Sequence, residues 1–205
     1  MIINWDKESP AGPGFSAQPE VYDAFPLVRS LRVGAMPTVL SPDREAIAAH
    51  LAFGDWISGR LVLPRPVSPT TAEAVEADSF PARVRVHEID YTPRALPMGK
   101  QQVHVRFDDE PVSESGFVIR VLDSLRHKGL WHSCESLRIS SNAFALEKAG
   151  ASGKLSLRAR LAVAVLFAED LEADELILAQ EACSADELQA LQSLLAAVNL
   201  GIIAK

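Results

Sequence analysis

The sequence predicts an α+β fold, in which a small, mainly antiparallel sheet with a central β-hairpin is packed on one face by helices. Two observations support this prediction. Apolar and polar residues alternate in two segments between residues 82 and 107, with the period of two that half-buried strands show. The carboxy-terminal third has a helical pattern, and strands and helices do not alternate as they do in a doubly wound parallel sheet.

Residues 1–40 are predicted to form a proline-rich aromatic arm. Five prolines and three glycines interrupt this range and prevent long helices. Its four aromatic residues lead us to expect that the arm lies on the core or on a partner. Residues 41–205 then form a single α+β domain, since a domain usually has roughly 100–200 residues. The aromatic residues of the arm are Trp5, Phe15, Tyr22 and Phe25.

Composition favours a folded, soluble chain. Hydrophobic residues make up 48% of the sequence, charged residues 23%, and the net charge is −7. These values exclude a disordered chain and argue against a general positive coat for nucleic acid or acidic membranes. The chain shows no signal sequence, and its longest apolar run, Leu161 to Ala168, is far shorter than the ~20 residues that span a bilayer. We expect a cytoplasmic location and no membrane partner.

Two helix starts are predicted where a serine precedes a proline. Ser41 and Ser68 each place a capping hydroxyl before a proline at the first helical position, where the missing N–H costs nothing. Helices are therefore expected at 42–53 and 69–77. The segment 56–63 between them is predicted to be a strand that two prolines end.

The central hairpin is predicted to have one apolar and one basic face. A register that places the valines on one face pairs Arg85 with Arg106 and His87 with His104 on the other. Adjacent like charges are unfavourable unless an anionic group offsets them. The candidate binding residues lie on this face or in the loop that joins the strands: Arg83, Arg85, His87, His104, Arg106, Arg94 and Lys100.

Three kinds of anionic or protein partner remain open for this basic face. One is internal, because the segment 161–204 carries eight acidic residues and neither lysine nor arginine. The second is another protein. The third is the phosphate backbone of RNA or DNA, which arginine side chains bind in bidentate geometry. Faces that bind single strands usually add stacking aromatic residues, and only Tyr91 lies near this one.

Apolar spacing and caps predict the remaining elements. No internal repeat is recognisable, since the two Ser-Pro segments share only a helix-start signal. The predicted elements are a helix over 117–125, a strand over 137–146, a turn over 150–153, a buried helix over 157–171, a strand over 175–179 and a last helix over 185–199 that begins with the capping box Ser184 and Glu187.

His132 and Cys134 are the candidate catalytic residues. On a strand they would share one face, and the imidazole would be placed to activate the thiol. Neither Asn nor Asp is recognisably placed to orient that imidazole. A zinc site that adds His127 and Cys183 would lack the closely spaced cysteine pair of structural sites. The turn 150–154 departs from a phosphate-binding loop at two required positions, so we expect no metal and no cofactor.

These features favour a noncatalytic binding or assembly subunit that acts through protein–protein contacts, with a protein partner or a homo-oligomer. Recognisable catalytic motifs fail, whereas the aromatic arm and the segregated charges need a partner. Two alternatives remain: an RNA- or DNA-contacting module that uses the basic face, and a small enzyme with a Cys/His site.

Overall fold

The computed structural model describes residues 1–110, 116–148 and 156–205. In these residues the strands form two mixed sheets, one of five strands and one of six, together with α-helices. Most neighbouring strands are parallel, so the fold is α/β. The prediction of an α+β fold with a small, mainly antiparallel sheet is therefore wrong.

The first sheet has the strand order β3-β2-β1-β4-β5. The bounds of its strands are β1 Ile2–Asp6, β2 Gly14–Gln18, β3 Ser30–Arg32, β4 Arg60–Val67 and β5 Arg85–Ile89. Strand β2 is antiparallel to both β1 and β3, whereas β4 and β5 continue the sheet parallel to β1. Three of the strands come from residues 1–40, and the division of the chain at residue 40 stays a prediction.

The second sheet has the order β11-β10-β6-β7-β9-β8. The bounds of its strands are β6 Gln101–Arg106, β7 Phe117–Asp123, β8 Leu130–His132, β9 Ser136–Ser141, β10 Ala173–Leu178 and β11 Gly201–Ala204. Its strands are parallel except for β8, which is antiparallel to β9. Without β8, the order β9-β7-β6-β10-β11 repeats that of the first sheet, although β7 runs parallel to β6 where β2 opposes β1.

The helices begin where the sequence places caps. The hydroxyls of Ser41, Ser68 and Ser184 each accept a hydrogen bond from the backbone N–H three residues later, at 3.4, 3.3 and 3.2 Å. A short 3-10 helix, Gly54–Trp56, follows the first helix. The bounds of the α-helices are α1 Pro42–Phe53, α2 Pro69–Asp78, α3 Ala143–Lys148, α4 Arg158–Phe167 and α5 Ala185–Ala196.

Two central helices separate the sheets. Helices α1 and α4 pack directly on each other, while α1 also packs on β4 and α4 on β7. Every residue from Leu161 to Ala168 is buried, which confirms the predicted central, buried helix. In the described residues, no helix is both long and apolar enough to cross a membrane.

The predicted hairpin over 82–107 is wrong because its two strands belong to different sheets. Strand β5 pairs with β4, so that Arg85 lies opposite Arg60, and β6 pairs with β7 and β10. The predicted cross-strand pairs of Arg85 with Arg106 and of His87 with His104 are consequently not formed. Alternation with a period of two identifies the face of a strand that is buried, but it does not identify the neighbouring strand.

Further elements differ from prediction. The predicted strand over 137–146 ends at Ser141, and helix α3 begins at Ala143. The segment 117–125, predicted as a helix, contains β7, whose residues are largely buried on both faces and therefore show no alternation. Strand β4 continues through Pro64 and Pro66, which were predicted to end it. Its register with β5 shifts between Val62 and Val67, so the prolines lie where the regular ladder is interrupted. The predicted turn over 150–153 lies outside the described residues.

Candidate interaction surface

The connection between β2 and β3, residues 19–29, presents large apolar side chains to solvent, and we call it the apolar loop. Val21, Tyr22, Phe25 and Leu27 are 91%, 84%, 67% and 86% exposed. Full burial of one such side chain contributes about 1.5–3 kcal/mol. The apolar loop therefore exposes apolar surface whose burial by a partner would be favourable.

The backbone of the apolar loop is held by a buried carboxylate. Asp23 accepts hydrogen bonds from the backbone N–H groups of Glu20 and Ser58, each at 2.8 Å, and lies 2.6 Å from the ammonium of Met1. The backbone N–H of the next residue donates to the carbonyl of Trp56 at 2.9 Å. These bonds hold the exposed side chains on an ordered backbone, which reduces the entropy lost on docking.

Charged side chains surround the apolar residues. The guanidinium of Arg29 lies 5.6 Å from the centre of the Phe25 ring, within the range of a cation–π contact. At the base of the loop, Glu20 forms an ion pair with Arg60. The loop thus lies at the end of the first sheet where β1 and β4 begin. An apolar centre with a polar rim is the usual composition of a protein interface.

The residues of the predicted basic face are distributed over both sheets. Arg85 pairs with Glu76 of α2, Arg94 pairs with Asp90, and the Lys100 ammonium lies 3.0 Å from the Glu172 carboxylate. Lys100 therefore meets the acidic segment 161–204, as the internal alternative expected. Arg83 and His87 are exposed beside or on β5. Their assignment to an external partner stays a prediction.

An arginine row crosses the second sheet. Arg106 of β6 is in register with Arg120 of β7, and Arg120 is in register with Arg138 of β9. Arg120 donates to the Asp108 carbonyl at 3.2 Å, and Arg138 lies 3.2 Å from the Asp109 carboxylate. Sequence reasoning missed this row because its members are distant in the chain and become neighbours only through parallel pairing.

His104 lies two residues before Arg106 on β6, and the two are not on one hairpin with His87. Partial burial lowers the pKa of the His104 imidazole, and the nearby charges of Arg106 and Lys205 lower it further. The neutral form of this side chain is therefore favoured. A neutral imidazole contributes no charge to a basic surface, which reduces the positive potential expected from the sequence.

The candidate catalytic pair lies at the end of β8. His132 is the last residue of that strand, and its ring contacts the Phe117 ring edge-on with centres 5.9 Å apart. Cys134 is exposed in the following turn, so the two residues do not share a strand. In the described part of the chain, no hydrogen bond joins them, and no group of three or more His, Cys, Asp or Glu side chains could hold a metal ion.

Comparisons of the chain with protein-family models, with curated proteins and with solved structures find no significant match. Among the surfaces described above, the apolar loop has exposed apolar residues on an ordered backbone, whereas several of the basic side chains already have carboxylate partners.

Proposed function

We propose that the protein is a noncatalytic binding or assembly subunit that contacts a protein partner, or a second copy of itself, through the apolar loop. The observation that supports this proposal is the exposure of four large apolar side chains within seven residues of an anchored segment. Exposed apolar surface on a folded protein is typical of an interaction site.

The composition of the apolar loop suits the centre of an interface. Binding energy is usually concentrated in a few residues, and tyrosine and arginine are enriched among them. Tyr22 and Phe25 offer broad aromatic surfaces, and Arg29 adds a charged group beside them. Loss of one central residue commonly costs at least ~1.4 kcal/mol, which weakens the dissociation constant about tenfold.

The two alternative functions have less support. The nucleic-acid alternative depends on one basic face, but β5 and β6 lie in different sheets and Arg85 pairs with Glu76. The residues of that alternative are Arg83, Arg85, His87, His104 and Arg106. The enzyme alternative depends on His132 and Cys134, which lie in a strand and a turn with no hydrogen bond between them in the described residues. The assembly function remains the one that the geometry favours.

The test compares two sets of substitutions at exposed apolar residues. One variant carries Tyr22→Ser, Phe25→Ser and Leu27→Ser in the apolar loop, and the control carries Phe80→Ser and Leu125→Ser, which are equally exposed elsewhere. We expect only the loop variant to lose self-association, which light scattering over a concentration series measures. If the partner is another protein, we expect only the loop variant to fail to retain that protein in a pull-down. Thermal unfolding should change little, because all five side chains are exposed.

Site-specific crosslinking identifies the contact directly. A photoreactive amino acid at position 22 should capture a second copy or one defined protein, whereas the same group at position 80 should not. The proposal is wrong if the parent protein stays monomeric without any crosslink from position 22. It is also wrong if the control substitutions weaken association as much as the loop substitutions do.

A further inference from the structure

A cavity of about 570 Å³ lies at the junction of the two sheets. One wall comes from the residues that follow β7 and β9, and the other comes from β3 and the turn between β1 and β2. Its volume is within the range of roughly 300–1,000 Å³ that is typical of small-molecule sites.

The position of this junction cavity is one where α/β proteins bind ligands. Strands β7 and β9 are parallel neighbours, and Ser124 and Asn142 follow their carboxyl ends directly. Loops that leave the carboxyl ends of parallel strands converge at one edge of the sheet, where ligands usually bind. One wall of the junction cavity is therefore formed by such loops.

The charges around the junction cavity favour an anion. Arg32, His127 and Lys128 line it together with the hydroxyls of Ser30 and Ser124, and no carboxylate does so among the described residues. This composition is unusual for a chain with a net charge of −7. Arg32 lies 3.0 Å from Asp6 through one nitrogen, and a guanidinium has further N–H donors.

Two of these groups are available for a ligand. The side chains of His127 and Lys128 make neither a hydrogen bond nor an ion pair with another residue in the described ranges. Both belong to the connection between β7 and β8. A bound anion would therefore not have to displace an internal carboxylate from either side chain. Binding then requires no free energy for breaking an existing ion pair of these two residues.

The walls of the junction cavity are fixed by hydrogen bonds. The side-chain amide of Asn142 accepts a hydrogen bond from the backbone N–H of Arg32 at 2.7 Å and donates one to the Ser30 carbonyl at 2.8 Å. Ser140 donates to the Gly129 carbonyl at 3.1 Å. These bonds hold β3 against the end of β9, and a preorganised site loses less entropy when a ligand binds.

We propose that the junction cavity binds the phosphate group of a small phosphorylated molecule. Arg32 and Lys128 provide positive charge, and the hydroxyls of Ser30 and Ser124 provide further donors. A phosphate monoester carries about −1.5 to −2 charges near neutral pH and three acceptor oxygens, which match this set of donors. This proposal is independent of the apolar loop, and variants of that loop should bind phosphate as the parent protein does.

The test measures binding of inorganic phosphate and of ribose 5-phosphate by calorimetry at constant ionic strength. The Lys128→Gln variant should weaken both at least about tenfold, since a hydrogen bond to a charged group contributes roughly 1.5–3 kcal/mol. The matched control is Lys100→Gln, which removes an exposed lysine outside the cavity and should leave binding unchanged. Both lysines are exposed, so both variants should fold.

Three results would overturn the proposal. One is the lack of binding of either probe to the parent protein at millimolar concentration. Another is an equal loss of affinity in the Lys100→Gln control. The third is binding of a single-stranded oligonucleotide that has no terminal phosphates, if this oligonucleotide displaces the bound probe or binds although neither probe binds. The ligand would then be a nucleic-acid backbone.

Discussion

Asp78 at the end of α2 is shared by side chains from both halves of the chain. Its carboxylate lies 2.7 Å from the His50 imidazole of α1 and 2.6 Å from the Arg158 guanidinium of α4. Arg158 also lies 2.7 Å from Glu187 of α5. One buried carboxylate thus connects helices that pack on different sheets.

The protonation of Asp78 is coupled to folding. Burial by itself would raise the pKa of its carboxyl group, but the hydrogen bonds from His50 and Arg158 outweigh burial and hold the pKa at about 2. A carboxyl group whose pKa is lower in the folded state stabilises the fold above its unfolded pKa, near 4, and loses this contribution as the pH falls towards 2.

We predict that Asp78→Asn lowers the free energy of unfolding at neutral pH by about 2 kcal/mol, because it leaves the partly buried Arg158 charge without its main partner. The loss of stability between about pH 4 and pH 2 should also become shallower than in the parent protein. Urea titrations over this pH range measure both effects.

Asp90→Asn is the matched control for this prediction. The hydrogen bond from Thr92, followed by that from Arg94, holds the pKa of the Asp90 carboxyl group at about 2 as well, but this pair lies near the surface. Surface pairs contribute little because solvent screens them. Equal destabilisation by the two substitutions at neutral pH would show that burial of Asp78 is not the reason for its effect.

At the scale of elements, local signals in the sequence were sufficient for the helices that begin with a serine cap and insufficient for strand partners. Ser41 and Ser68 fixed the starts of α1 and α2, since a cap acts within one turn. Val86 and Val105 show the same alternation, yet their strands lie in different sheets, because packing between distant residues selects the partner. Burial on both faces removed the alternation from β7 altogether.

The candidate site was only partly predictable for the same reason. Tyr22 and Phe25 were recognisable as aromatic residues of the amino-terminal range, but their exposure depends on the anchoring of Asp23 by Ser58, 35 residues away in the chain. The lining of the junction cavity likewise combines Arg32 with Lys128 from the other sheet. Such combinations exist only after the two sheets have packed.

We predict that removal of either helix cap, Ser68→Ala or Ser184→Ala, lowers the free energy of unfolding by about 1 kcal/mol, because one backbone N–H loses its acceptor. The control is Ser193→Ala within α5, where the hydroxyl bonds only to a carbonyl of its own helix and alanine is the better helix former. Urea denaturation should rank the control as neutral or slightly stabilising. A similar loss in all three variants would contradict the capping role.

At the scale of the whole molecule, direct contacts join the two halves. Helices α1 and α4 pack together, and an isolated antiparallel bridge links Val33 to Ser141 at the end of β9. The Ser141 hydroxyl donates to the Arg32 carbonyl at 2.7 Å and accepts from the Ala143 N–H at 3.1 Å. The halves should therefore unfold together.

We predict that Ser141→Ala destabilises the whole molecule by about 1–2 kcal/mol, since it leaves buried backbone groups of both halves without this partner. Tryptophan fluorescence and far-ultraviolet circular dichroism should still report one coincident urea transition. Ser136→Ala, which alters a hydroxyl contact inside one turn, is the milder control. Separate transitions for the two probes would show that the halves fold independently.

The strand order shared by the two sheets gives the molecule an approximate internal symmetry. Helices α1 and α4 occupy equivalent places in that order, as do β3 and β9, and the members of each equivalent pair meet across the junction. The symmetry is broken at one strand, because β2 is antiparallel to β1 whereas its counterpart β7 is parallel to β6. The apolar loop follows this reversed strand, so the surface proposed for association lies where the two halves differ.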